Sequence, residues 1–330
     1  MKLPTLRIQY MKPQKVALCL PNANNHSFSK MMHHNQIPIE LSTARTIIHD
    51  QFPEYINEQI THLGSTGTVN AIFRIGSNAT ARFPLQNAEP TKMAAALRDE
   101  AVAMADFAEQ CPFPAPKPLR LGQPSPLYPL PWSAQSWVEG DVATPDGLAS
   151  SRKFALDIVH LIASLRKVDT CGRAFGGQGR GGRLRDHDQW MQVCFQKSKN
   201  LLDVSQLERL WIDFRDLPSS GHDVMSHKDL IPANILVENE RIVGVLDSGS
   251  FGPTDPALDL VAVWHMLDWE QQRTVRSLLG STEVEWKRGA AWAFVQAMGL
   301  IWYYQYSNSS MCALGRSTLR RILSDHAVFS

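Results

Sequence analysis

The spacing of apolar positions changes character along the chain, and the changes mark its organisation. Residues 1–36 mix Pro, Asn, Ser and His with neither a two-residue nor a 3.6-residue period, which predicts an irregular extension. The pattern sharpens at IELSTARTIIHDQF, where Ser42 or Thr43 is the expected cap of a short helix with Ile47 and Ile48 facing inward. INEQITHLG, AIFRIG and ATARFP follow, short β-rich runs separated by turn residues, as in an antiparallel meander. Between residues 91 and 109, Leu97, Ala101, Met104 and Phe107 recur at helical spacing. The Pro-rich CPFPAPKP closes that helix, and WSAQSWVEG reads as a strand ending at Gly140. Beyond it the period is helical: Phe154, Ile158, Leu161, Ile162 and Leu165 form one buried face. Two short strands, NILVEN and RIVGVLD, interrupt the later helices. The pattern therefore predicts an α+β chain with an antiparallel sheet and one helix over 37–139, and a mainly helical part over 140–330.

Composition narrows the class. Hydrophobic residues make up 44% and charged residues 20%, which excludes wholesale disorder. Lys plus Arg total 33 against 32 for Asp plus Glu, so the formal charge of +1 provides no field for a polyanionic partner, and nucleic acid is not expected. The five cysteines are scattered without a C-x-x-C pair, which argues against a disulfide framework or a zinc site. No apolar run approaches the roughly 18–20 residues that cross a bilayer. No membrane association is expected, and a cytoplasmic location is.

The densest chemistry lies between Ser226 and Leu260, SHKDLIPANILVENERIVGVLDSGSFGPTDPALDL. It contains H-x-D-x-x-x-x-N, a tight hairpin, and D-x-G after an apolar strand. A hairpin returns the chain to its starting edge, so Asp229, Asn234 and Asp247 are expected at one rim. Two carboxylates and an amide at one rim suit phosphoryl transfer, which requires a positioned hydroxyl and neutralised phosphate charge. Asp229 would orient the acceptor hydroxyl and take its proton. Asn234 and Asp247 offer the hard oxygen ligands that Mg2+ prefers.

HKDLIPANILV, VLDSG and DPALDL together resemble the catalytic segment of the aminoglycoside phosphotransferase family, and the resemblance extends through GSTGTVNAIFRIG, ARFPL, YPLPWSAQSWVEG and FGGQGRGG. It covers about residues 37–330. The resemblance implies a two-lobed protein-kinase-like fold, with an N-terminal lobe (37–139) that binds nucleotide and a C-terminal lobe (140–330) for catalysis and acceptor binding. It makes Asp229 the base and Asn234 and Asp247 the magnesium ligands. Ser65, Thr66, Gly67 and Thr68 take the place of the phosphate-covering loop. Arg82 stands at the phosphate-binding lysine position with Glu100 as its helix partner, and Ser136 and Val138 would pair with the adenine edge beside Gln135. Lys228 replaces the usual Gly between His and Asp, and Ser248 replaces a bulky residue inside D-x-G.

The implied reaction moves the γ-phosphate of ATP or GTP to a hydroxyl of a small molecule, with an aminoglycoside-like antibiotic the acceptor named by the resemblance. A macrolide, amino alcohol or sugar metabolite is the alternative acceptor, and a nucleotide-binding module without catalysis is the alternative class. Other residues read structurally. His227 is expected to hold the loop backbone, Asp259 to bond catalytic-loop amides, and Asp255 to cap a helix. The glycine-rich 176–182 segment reads as a connection, and the late tryptophans as core. Asp186, Asp188, Asp268 and Glu270 read as solvated helix faces, with contact to substrate ammonium groups the alternative.

Overall fold

The computed structural model describes residues 37–64, 69–177, 179–219, 221–325 and Val328. Its contacts separate two compact units. The first holds the described residues up to Arg98 together with Pro118–Trp137, and the second holds Asp99–Lys117 together with the described residues from Val138 onward.

The first unit is a five-stranded antiparallel sheet in the order β1-β2-β3-β5-β4, made of β1 (Ile60–Leu63), β2 (Asn70–Ile75), β3 (Ala79–Pro84), β4 (Pro118–Gly122) and β5 (Trp132–Ser136). Strand β2 shows why: Ala71, Phe73 and Ile75 are buried while Asn70, Ile72 and Arg74 are not, the two-residue alternation of a half-buried strand. Helix α1 (Leu41–Gln51) buries Ile47 and Ile48, as expected, but starts earlier than expected. Its cap position is Glu40, whose side chain makes no cap bond, and Ser42 and Thr43 lie inside the first turn. Strand β4 arises from the end of the Pro-rich stretch, with Pro118 at its first position, where a missing N–H is tolerated. Phe73, Phe83, Tyr128 and Trp132 form the core, with the Phe83 and Trp132 rings stacked at 4.6 Å. The Tyr128 hydroxyl donates to the Pro84 carbonyl. A Cβ on Gly122 would come within 2.0 Å of the Trp132 ring, so glycine is required there by close approach.

Helix α2 (Pro90–Gln110) contributes residues to both units. The second unit is otherwise built from α3 (Arg152–Arg166), α4 (Asp188–Ser198), α5 (Val204–Arg215), α6 (Val261–Met266), α7 (Trp269–Leu279), α8 (Glu283–Tyr303) and α9 (Ser309–Ser324). Helix α8 is buried on nearly every face between Trp286 and Ile301, the mark of a central core helix. Trp264, Trp286 and Trp292 are core, as expected, whereas Trp269 is exposed. No helix among the described residues is long and apolar enough to cross a membrane.

Two small sheets carry the rim. One is ordered β6-β8-β9, from β6 (Asp141–Val142), β8 (Ile235–Glu238) and β9 (Arg241–Val245). Its β8–β9 hairpin turns through Asn239 and Glu240, both at positive φ (50° and 63°), the geometry a two-residue hairpin loop needs. Asp157, buried on α3, anchors this hairpin by accepting from Arg241 Nε and Nη2 at 2.8 and 2.6 Å and from the Ile242 amide at 2.9 Å. The other sheet pairs β7 (Val224–Ser226) with β10 (Gly252–Thr254), two strands too short to stand out in the sequence pattern.

Candidate active site

Strand β7 delivers His227, Lys228 and Asp229, and the loop they form is held from below. The Asp259 carboxylate accepts from the His227 and Lys228 amides, both at 2.9 Å, which is the role its position in DPALDL suggested. His227 Nε2 lies 2.8 Å from the Leu246 carbonyl, and its Nδ1 accepts from the Asp229 amide at 3.3 Å. These partners define a neutral tautomer that donates through Nε2. The imidazole is fully buried edge-on against Phe107, so it ties the loop to the strand before Asp247 and has no route to a proton acceptor in solvent.

Asp229 is part-buried with its two oxygens in different situations. Oδ1 accepts from Arg180 Nη2 at 2.7 Å and from Gln296 Nε2 at 2.8 Å. Oδ2 meets only Asn234 Nδ2, at 3.3 Å, among the described residues. Burial pushes this carboxyl up, but the Arg180 charge and hydrogen bond more than offset it and hold the group below the usual aspartate range.

Asn234 Nδ2 also donates to the Asp229 carbonyl at 2.9 Å, and the Asn234 carbonyl accepts from the Leu246 amide at 2.8 Å. Asn234 therefore sits against the residue that precedes Asp247, and the hairpin brings the two candidate ligands to one edge. With Nδ2 committed to Asp229, the Asn234 Oδ1 is left for a ligand. Asp247 has φ +58°, a conformation that Asp tolerates better than most residues and that turns the chain away from β9. Gly249 does not take a positive φ; its need for glycine comes from packing, since a Cβ there would lie 3.1 Å from Glu100 Cγ. No group of three or more His, Cys, Asp or Glu that would cage a metal occurs among the described residues. One amide oxygen and one carboxylate suit Mg2+, which keeps several water and phosphate ligands. They would not suffice for a structural zinc.

The remaining expected residues fall in several places. Ser65, Thr66, Gly67 and Thr68 lie outside the described residues. Arg82, on β3, faces Ile72 and Ser133 across the sheet, and its Nη1 donates to Gln135 Oε1 at 3.4 Å. Ser136 ends β5 opposite Ala79. In the second unit, Val138 packs over Gly244, where a Cβ would come within 2.7 Å of Val138 Cγ1, and Glu100 packs over Gly249. Lys228 has φ +73°, and its Nζ lies beside Gly252. Burial lowers its pKa, against the opposing pull of the Asp259 and Asp223 carboxylates.

Arg180 and Gln296 are functional candidates that the sequence reading passed over. Gln296 is one polar residue in an apolar helix, a signal that marks a buried partner but not which one. Of the carboxylates read as helix faces, with substrate ammonium contact the alternative, Asp186 pairs with Arg183, Asp188 with Arg215 and Trp211, and Asp268 caps α7. Glu270 lines a separate groove on α7 with Trp269 and Arg273. Asp255 is more than a cap. It accepts from the Ala257 amide at 3.0 Å, from Trp292 Nε1 at 2.8 Å and from Arg288, forming a buried ion pair.

Among solved structures, the GDP complex of aminoglycoside 2'-phosphotransferase-IIIa is similar at a TM-score of 0.64 and 17% identity, covering 86% of this chain and 98% of its own. Macrolide 2'-phosphotransferase MphH from Brachybacterium faecium is similar at a TM-score of 0.53 and 18% identity, over 79% and 92% of the two chains. The streptomycin-ATP complex of APH(2")-IIa is similar at a TM-score of 0.55 and 14% identity, over 88% and 98%. No curated protein matches the sequence. These likenesses establish the kinase-like fold with its antiparallel sheet and mainly helical C-terminal part. The phosphotransferase enzyme family model matches residues 63–292, from the first strand through the catalytic loop, the D-x-G turn and into α8, and the chain therefore belongs to the phosphotransferase enzyme family.

Proposed function

We propose that this protein transfers the γ-phosphate of ATP or GTP to a hydroxyl of a small molecule, with Asp229 as the base. The observation that carries the reading is the contrast at Asp229: one oxygen is saturated by donors, and the other faces a single long contact. A carboxylate so arranged is rigid at Oδ1 and open to an incoming hydroxyl at Oδ2. Asp229 orients the hydroxyl for in-line attack, and as the new O–P bond forms and the bond from Pγ to the departing nucleoside diphosphate breaks, the hydroxyl proton moves to Oδ2. Asn234 and Asp247 would hold Mg2+, which when bound neutralises phosphate charge. Arg82 on β3, Glu100 on α2, the 65–68 segment and the backbone of Ser136 and Val138 are assigned to the nucleotide. The similar structures include kanamycin and streptomycin complexes and a macrolide 2'-phosphotransferase, which supports antibiotic-like hydroxyl acceptors.

The test is nucleotide consumption and product mass with ATP or GTP, Mg2+ and a panel of aminoglycosides, macrolides, amino alcohols and sugars. Acceptor-stimulated turnover is expected to stop with EDTA and to fall by about 10²–10⁴-fold in Asp229→Asn, the usual contribution of a general base. Turnover undiminished by that substitution removes Asp229 from the mechanism.

A further inference from the structure

Within the glycine-rich stretch, Gly181 and Gly182 fix the backbone that carries Arg180. Gly181 has φ +127°, and a Cβ there would collide with Thr254 Oγ1 at 1.6 Å, so only glycine lets the backbone lie on β10. Its carbonyl accepts from the Asp255 amide at 2.9 Å, and the Gly182 carbonyl accepts from Arg288 Nη2 at 3.1 Å. The Phe175 ring packs on Gly182, and its amide donates to Asp223 at 2.7 Å. Arg180 thus projects from a pinned backbone, and its Nη2 bonds both Asp229 Oδ1 and the Lys228 carbonyl, at 2.7 and 3.2 Å.

The second donor to the same oxygen is equally fixed. Gln296 Oε1 lies 3.0 Å from His265 Nε2, and His265 Nδ1 lies 2.8 Å from Thr318 Oγ1. His265 and Thr318 are fully buried. The Asp229 carboxylate can only accept, so Gln296 gives it an N–H and turns Oε1 to His265 Nε2, which donates there and leaves Nδ1 to accept from Thr318. The charges around the base follow from the same bonds. Arg180 pairs with Asp229, Arg288 with Asp255 and Arg215 with Asp188, while Asp259 bonds the loop amides and keeps its charge beneath the loop. An acceptor ammonium arriving beside Asp229 meets the Arg180 guanidinium there.

We propose that Arg180 is a positioning and specificity-determining residue: with Gln296 it holds Asp229 by Oδ1, reserves Oδ2 for the acceptor hydroxyl, and turns away acceptors with an ammonium group beside that hydroxyl. The proposal rests on Asp229 being the base. Gln296 positions through the same oxygen but carries no charge, so the two residues separate positioning from selection.

The experiment compares one scaffold in two charge states, kanamycin and its fully N-acetylated form, with wild type, Arg180→Met, Arg180→Lys, Gln296→Ala and Asp229→Asn, after thermal melts that establish folding. Wild type is expected to favour the N-acetylated acceptor. Arg180→Met is expected to shift the kcat/KM ratio toward kanamycin by about 10-fold or more and to lower kcat, with KM for nucleotide unchanged. Arg180→Lys is expected to restore the wild-type ratio, because it keeps the charge. Gln296→Ala is expected to lower kcat by about 10-fold, the worth of one hydrogen bond to a charged group, with the ratio unchanged. An unchanged ratio and kcat in Arg180→Met, with Asp229→Asn inactive, overturns this proposal and leaves the phosphotransfer reading standing. Turnover that survives in Asp229→Asn overturns the reading on which it rests, and wild type that phosphorylates neither form of kanamycin overturns the expected preference while leaving phosphotransfer to other acceptors standing.

Discussion

Replacing Asp255 by Ala should destabilise the second unit more than any surface change. The Asp255 and Arg288 side chains are each 4% exposed. Without the carboxylate, the buried guanidinium keeps only carbonyl partners, those of Leu217, Pro218 and Gly182, and the Trp292 N–H and Ala257 amide lose their acceptor. Leaving one member of a buried pair unpaired costs about 3–5 kcal/mol. That is a large part of the 5–15 kcal/mol, roughly, that separates folded from unfolded proteins. At about 2–4 °C per kcal/mol for a unit of this size, the melting temperature should fall by roughly 6–20 °C. Urea and thermal unfolding of Asp255→Ala, Arg288→Met and the double variant measure this. The double variant should be less destabilised than the sum of the singles, because it removes the uncompensated charge along with its partner. A loss below about 1 kcal/mol in Asp255→Ala, or strict additivity, would show that the pair is solvated and refute the burial argument.

Three further outcomes follow from the geometry. Asp259→Ala removes the acceptor for the His227 and Lys228 amides, two charge-assisted bonds worth about 1.5–3 kcal/mol each, and should lower kcat with little change in nucleotide KM by steady-state kinetics. His265 is pushed down by burial to about 4, so the unfolded chain binds the extra proton between that value and about 6.5. Stability should therefore be full above about pH 6.5 and fall toward pH 4, by a contribution on the order of 3 kcal/mol from this group; denaturation as a function of pH should flatten in His265→Gln relative to wild type. Gly122→Ala drives a Cβ into the buried Trp132 ring and should cost about 1–3 kcal/mol, seen as a lower melting temperature and a changed Trp fluorescence transition.

The candidate base loop and candidate magnesium ligands stand out in the sequence because their spacing is written in adjacent residues. H-x-D-x-x-x-x-N and D-x-G keep their spacing whatever surrounds them, and a hairpin with two positive-φ turn residues closes them to one edge. His227 and Asp259 were legible for a related reason, since a buried imidazole and a carboxylate before a helix have few other bonds to make. Arg180 was not. Its segment looks like a connection because glycines are common in connections, and the collision with Thr254 that makes Gly181 necessary depends on a residue about seventy positions away. Likewise, Asp186, Asp188 and Asp268 read as solvated faces, and the sequence pattern did not show that Arg183, Arg215 and the α7 amide hold them.

Periodicity determined the order of strands and helices, because burial of one face is decided within a few residues of chain. Motif spacing determined the candidate base and magnesium ligands, because backbone geometry over a loop or hairpin is local. Only the tertiary structure decided which oxygen of Asp229 is held and which is open, since its two donors come from residues 49 and 67 positions away. It also decided that a cation sits beside the base. Hydrogen bonds and charge pairs form between whatever the fold brings within about 3 Å, and a one-dimensional pattern does not carry that distance.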